Sequence, residues 1–415
     1  MILISVLGGL AGPGTSSADD PHAPIVINGD ADLASNACAC VRNPGAAGTA
    51  SDPYIISDWR IARAVGVGIE VKDVRTHHFI IRDNTVKAQH AIKLVNTGDR
   101  GQVLDNEITF EDNGIWTINA SPRIVGNYIQ GKAWVNSWWP TIGLRIEGGS
   151  PLVQENTFAR GQRGIFAASS SPVIEDNEFS ENQDAVLLTD STEARLTGNT
   201  IRLAGHWGLV VRHSAKATLI DNEVREGEGG IVASSATLYM ENNRVMNQRA
   251  EAVKFESSVV TMFRNTVSDN WMGAYGSTDS DVLIRENTFT NNQDAGIRLT
   301  RSEGTVEGNL LELNGVGIDV RDSIITLRDN EMNNNTHGLS IPYGSRQTIP
   351  LMSGNVVNGV NVDGSLVPAE KRLFYKAAGV TISGQTIDGG HGEGYFGTTV
   401  EQGSLVVYDS TDVTI

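Results

Sequence analysis

An asparagine returns along this chain at almost fixed intervals, and no other feature restricts the possible folds as much. It stands at Asn84, Asn106, Asn127, Asn156, Asn177, Asn199, Asn222, Asn243, Asn265, Asn287, Asn309, Asn330 and Asn355. Eleven of the twelve gaps run from 21 to 25 residues, and Asn127 to Asn156 is 29. Every copy has an apolar residue three positions before it and another two positions after it, as Ile81 and Val86 flank Asn84 or Ile284 and Phe289 flank Asn287. Between the asparagines runs a second track that reads small, apolar, variable, apolar. Examples are Gly114-Ile115-Trp116-Thr117, Gly164-Ile165-Phe166-Ala167 and Gly208-Leu209-Val210-Val211. Alternation of this kind marks a strand with one buried face, and no window supports a helix of ten or more residues.

A unit of about 22 residues with two or three short strands cannot bury its apolar face alone. Stacking like units does so, with each residue above its copy and parallel neighbours at about 4.8 Å. The chain is therefore expected to be all-β, a single-stranded right-handed parallel β-helix of about 13–15 rungs and roughly 60 Å of rod. Asparagine suits the corner, because it tolerates the left-handed conformation and its amide can bond along a column. The expected organisation is a probable-export leader at 1–18, an N-terminal cap at 19–60, a regular β-helix at 61–361 and an irregular continuation at 362–415 that ends on an open rung. The leader rests on the short apolar run Ile2 to Ala11, followed by Ser16-Ser17-Ala18.

These repeats resemble the NosD-like group of β-helix proteins, the carbohydrate-binding and sugar-hydrolase repeats. The stretch Pro24-Ile25-Val26-Ile27-Asn28-Gly29 and the later Gly48 to Ile56 look like that group's opening cap. The resemblance covers roughly residues 24 to 415. It implies an extracellular, cell-surface or periplasmic β-helix, on a scaffold that carries lyases, hydrolases, epimerases, binding proteins and surface proteins alike.

Charge narrows the partners. With 32 basic and 49 acidic residues the net charge is −17, which opposes nucleic acid and anionic membrane surfaces. No apolar run is long enough to cross a membrane. Cys38 and Cys40 are the only cysteines, and a bridge across one intervening residue is expected to be disfavoured by geometry.

Chemistry is sought on the outward column of the second track: Glu70, Lys93, Trp116, Arg145, Phe166, Leu187, Val210, Val232, Lys254, Tyr275, Arg298, Asp319, Ser340, Asn361. Four consecutive apolar members, Phe166 to Val232, are expected on a wet surface, where such a stripe marks a contact. Trp116, Trp134, Trp138, Trp139, Phe166, Leu187, Val210, Val232 and Tyr275 are the candidate binding residues, for a glycan or a protein partner. Trp134, Trp138 and Trp139 fall in the 29-residue gap, expected to be either a loop over this face or a local mini-core. Lys93, Arg145, Lys254 and Arg298 are the candidate charge neutralisers or bases if the chain is a polysaccharide lyase, hydrolase or epimerase. Asp83, Asp105, Glu155 and Asp176 precede ladder asparagines. On adjacent rungs such pairs stand about 5 Å apart, a separation that suits Ca2+ or a retaining glycosidase; solvation of the turn is the simpler reading. No cofactor is otherwise expected. The function expected is non-catalytic binding through the outward face. The alternatives are an enzyme on acidic glycans, or a spacer module of a larger surface protein whose open last rung is covered by a partner.

Overall fold

At residues 173–190 one full turn of the chain shows how the sequence bends. Val173–Glu175 and Glu178–Ser180 are short strands, and Asp184–Thr189 is the longer third one. The corners between them fall on Asp176, Glu181 and Asp190, with φ of 54°, 53° and 55°. One left-handed residue reverses the side-chain alternation and turns the strand direction, so three of them close the loop into a three-sided turn. The computed structural model describes residues 21–132, 140–190, 192–340, 351–353, 355–357, 382–383 and 386–387.

Repetition of that turn gives a parallel β-solenoid. One sheet holds 15 described strands, from Tyr54–Ser57 to Ile382–Ser383, one from each turn. The remaining 26 form a second hydrogen-bonded sheet that carries the other two strand positions. The pairings between named strands are parallel and join each turn to the next, as Phe158 faces Phe179 and Ile174 faces Leu196. The last described strands extend the register expected past residue 362: Ile382 pairs with Met352, and Ile387 with Val357.

The interior is one dry apolar stack of Ile, Leu, Val, Met and Phe at exposures near zero. Stacking is literal at Phe158 and Phe179, whose rings lie 5.0 Å apart at 10°. Burying one such side chain contributes about 1.5–3 kcal/mol. The small residue that opens the second track has a steric cause. A Cβ on Gly143 would lie 2.6 Å from the carbonyl oxygen of Gly164, and one on Gly164 would lie 2.6 Å from that of Ala185. The next turn's backbone comes so close to these two glycines that even a methyl group would force it to shift.

Polar columns line the corners. Each ladder asparagine is buried, its Nδ2 donates to the Oδ1 of the next, and that same Oδ1 accepts the backbone N–H of the residue above, as from Asn84 to Asn106 at 2.9 and 3.1 Å. Contrary to the expected left-handed asparagine, the left-handed residue is the one before it, such as Asp83, Asp105, Glu155 and Asp176. The asparagine itself satisfies the backbone groups that the bend exposes. Two further columns stand at the other corners. One is Asn182, then Gln248, Asn270, Asn292, Asn314 and Asn335. The other includes Ser258, Ser280, Ser302 and Ser323.

The N-terminal end is closed. Ile25–Asn28 pairs with residues 69–72, and the helix Asp30–Ser35 places Leu33 in the core. The Asp30 carboxylate accepts the backbone N–H groups of Thr76 and His77, both at 3.0 Å. Contrary to the expectation from spacing, Cys38 and Cys40 form a disulfide, with Cα atoms 5.1 Å apart. Ala39 between them has φ of 51°, and that left-handed residue folds the two side chains toward each other. Among the described residues no helix is long and apolar enough to cross a membrane.

Candidate functional site

The outward column exists as a single file. Glu70, Lys93, Trp116, Arg145, Phe166, Leu187, Val210, Val232, Lys254, Tyr275, Arg298, Asp319 and Ser340 are each the register partner of the next. They lie on the third strand of each turn, whose alternate residues enter the core. Rung spacing therefore repeats one side chain about every 4.8 Å along the rod.

The upper part of the file is a packed stack. The Lys93 ammonium lies 4.9 Å from the Trp116 ring centre and the Arg145 guanidinium 5.2 Å from it, with Arg145 also 5.7 Å from the ring of Phe166. Cation–π contacts of this kind contribute about 0.5–1 kcal/mol at exposed positions. His90 flanks the stack, 5.6 Å from Trp116, and shares a hydrogen bond of 2.9 Å with Asn113. Burial holds the His90 pKa below its ordinary value of 6.5. Asp112 opposes that shift, and Lys93 and Arg145 add to it. Further down, Lys254 approaches the Tyr275 ring at 5.9 Å.

The apolar stripe is less exposed than its sequence suggests. Phe166, Val210 and Val232 are half-buried, but Leu187 is 1% exposed. Its in-register neighbours Phe166 and Val210 stand on either side of it. The expectation of a wet Leu187 is therefore corrected: it forms the floor of the stripe. Trp134, Trp138, Trp139 and Asn361 lie outside the described residues.

All four candidate cations are held by the protein's own carboxylates. Lys93 pairs with Glu70 at 3.1 Å, Arg145 with Glu147 at 2.5 Å and Lys254 with Glu251 at 3.6 Å. Arg298 bridges Asp294 and Asp319, both at 2.7 Å. Asp319 is 1% exposed and also accepts from Arg321 at 2.6 Å, and among the described residues its Oδ1 has no partner. Two cations that a single-column reading passes over stand beside the stripe. Arg163 precedes Phe166 by three residues and is in register with Asp184, and Arg212 follows Val210 by two. Their signal lies in the flanking outward columns.

Asp83, Asp105, Glu155 and Asp176 occupy the left-handed corners, away from this face, where Asp83 approaches Arg82 at 3.7 Å. Among the described residues no three His, Cys, Asp or Glu side chains come together to hold a metal ion.

Sequence comparison agrees with this geometry. A family model for the right handed beta helix region matches in four overlapping passes, residues 67–206, 142–280, 207–367 and 256–415. The chain belongs to the right-handed β-helix family. No curated protein matches this β-helix. Among solved structures it is similar to the catalytic unit of a thermostable α-1,3-glucanase from Streptomyces thermodiastaticus. The TM-score is 0.51 at 14% identity, over 84% of this chain and 71% of that one. It is also similar to the periplasmic alginate epimerase AlgG, with a TM-score of 0.41 at 15% identity over 88% and 85%. A mannuronan C-5 epimerase A-module from Azotobacter vinelandii gives 0.46 at 13% over 76% and 93%. At these identities the likeness is one of β-helix fold.

Proposed function

We propose that this β-helix is an exported glycan-binding protein whose ligand lies along the outward column, parallel to the axis, and is held without covalent chemistry. The observation that carries this reading is the unbroken register of that column. A rigid strip of Trp116, Arg145, Phe166, Val210 and Val232, with Leu187 packed beneath it, follows the rung spacing and suits a linear polymer. Its rings and branched side chains match the C–H faces of sugars, and polar groups border them. The ion pairs of Lys93, Arg145, Lys254 and Arg298 favour a structural part for those side chains. The Cys38–Cys40 disulfide is in keeping with an oxidising compartment, the cell surface or periplasm.

The test is a glycan array followed by calorimetry on the polymers that bind. Trp116→Ala and Phe166→Ala are expected to lower affinity at least tenfold, about 1.4 kcal/mol. Ultraviolet absorbance from unsaturated uronates and the release of reducing ends are expected to stay flat. Loss of binding without change of fold supports the reading, and turnover of any polymer refutes its non-catalytic half. One observation favours an enzyme instead: the buried Asp319 carboxylate, clamped by Arg298 and Arg321 with one oxygen unpartnered. Turnover abolished by Asp319→Asn or Lys254→Ala selects that reading.

A further inference from the structure

The outward face carries two kinds of cation. Those in the central file are neutralised at contact distance by carboxylates. Arg163 and Arg212 are not: among the described residues neither forms an ion pair, and the Arg212 Nε is buried with no hydrogen-bond partner. They border the stripe on opposite sides. Arg163 stands at the start of its strand beside Phe166, with its guanidinium 5.3 Å from the ring. Arg212 stands at the end of its strand beside Val210. Phe166, Leu187 and Val210 are consecutive in register between them, so the two arginines are two rungs, roughly 10 Å, apart along the axis.

The charges act on each other. Burial holds the Arg163 pKa below its ordinary value; Asp184 opposes that, while Arg212 and Arg145 add to it. Arginine keeps its charge nonetheless. The neighbouring Asp184 is already engaged, with its Oδ1 3.1 Å from the His206 Nδ1 and accepting the Trp207 backbone N–H at 3.3 Å. Among the described residues no carboxylate pairs with either arginine, and a carboxylate or sulfate fits a guanidinium fork bidentately.

Resting on the glycan reading above, we propose that Arg163 and Arg212 form an anion subsite astride the Phe166–Leu187–Val210 floor, which makes the ligand an acidic polysaccharide. The sugar's apolar face lies on the floor, and its carboxylate or sulfate ester bonds to the guanidiniums. This concentrates positive potential on one face of a chain whose net charge is −17, so attraction is local and sensitive to salt.

The full chain is titrated with polygalacturonate, with the same polymer after its carboxyls are reduced to alcohols, and with a sulfated galactan. Arg163→Gln and Arg212→Gln are each expected to raise the Kd for a charged polymer at least tenfold and to leave the reduced polymer unaffected. Arg195→Gln, on the 15-stranded sheet, is expected to change neither, and circular dichroism checks that each variant folds. Preference for polygalacturonate assigns the anion as a carboxylate, and preference for the galactan assigns it as a sulfate. Equal binding of charged and reduced polymers, or no effect of either glutamine variant, overturns the anion subsite and leaves the glycan reading standing. Failure of all three polymers to bind overturns both.

Discussion

Replacing Asn222 with alanine removes a side chain that meets five hydrogen-bonding groups at one corner, its two N–H shared among three acceptors. The Nδ2 donates to the carbonyl oxygens of Leu196 and Ile220, both at 3.0 Å, and to the Asn243 Oδ1 at 2.9 Å. The Oδ1 accepts the Asn199 backbone N–H at 3.0 Å and its Nδ2 at 2.9 Å. Asn222 is 5% exposed, so water cannot easily replace these partners. The Asn199 N–H loses its acceptor, at about 1–3 kcal/mol, and two carbonyls lose one donor each. A total near 3 kcal/mol follows, a large share of the stability of an ordinary domain. Asn222→Asp is expected to cost more. Its oxygens still accept from Asn199, but the second oxygen confronts two carbonyls, and a charge is buried. Chemical denaturation measures the loss, and hydrogen exchange locates it. In a stack where each turn touches only its neighbours, exchange accelerates at the turns around Asn199 and Asn243 and not at distant ones. Lys216→Ala provides the contrast. Its ion pair with Glu193 is 2.7 Å long but more than half exposed, and its loss should fall within about 0.5 kcal/mol. An Asn222→Ala cost no larger than that would refute the ladder as a stabilising element.

Gly149 has φ of 83°, and a Cβ there would meet the Ala120 carbonyl oxygen at 2.2 Å. Gly149→Ala is therefore expected to destabilise by about 1–3 kcal/mol, read as a lowered melting midpoint; an unchanged midpoint refutes the close approach. His90, whose pKa is depressed by burial, should titrate below 6.5 by NMR. As pH falls through 6.5 the unfolded chain takes up that proton before the folded one, so the contribution is complete above 6.5 and is lost between 6.5 and the folded pKa. His90→Gln should flatten this part of the stability curve, and a ring that titrates above 6.5 refutes it.

What the sequence revealed follows from which contacts are periodic. The asparagine ladder and the outward file repeat with the turn, so Asn84 to Asn355 and Glu70 to Asp319 could be aligned by spacing alone. The second polar column is periodic too, since Asn182, Gln248, Asn270, Asn292, Asn314 and Asn335 each follow a ladder asparagine by five residues, but Gly161, Ala204 and Gly227 interrupt it, so its signal in the sequence is weaker than the ladder's. Pairing between charges was not legible. Glu147 reaches Arg145 from two residues along the same strand, while Arg298 is held partly by Asp294 across the bend and partly by Asp319 in the next turn. Such contacts depend on which outward column each residue joins, and the bend at the small residue shifts that assignment. The same shift hid Arg163 and Arg212. The Cys38–Cys40 bridge depended on a left-handed Ala39, which has no sequence signature.

The amide ladder runs in one sense throughout. Each Nδ2 points to the following turn, and the first Oδ1, that of Asn84, accepts the backbone N–H of Trp59. The rod is thus a polar filament in miniature, with a sealed head and amide dipoles aligned along its length. Hydrogen bonds that line up in this way polarise one another. Inserting or deleting a whole turn preserves the alignment, whereas a turn shifted by a single residue breaks it. Duplication or loss of a turn in the gene can therefore alter the length of the outward file while the head and the repeating chemistry stay as they are.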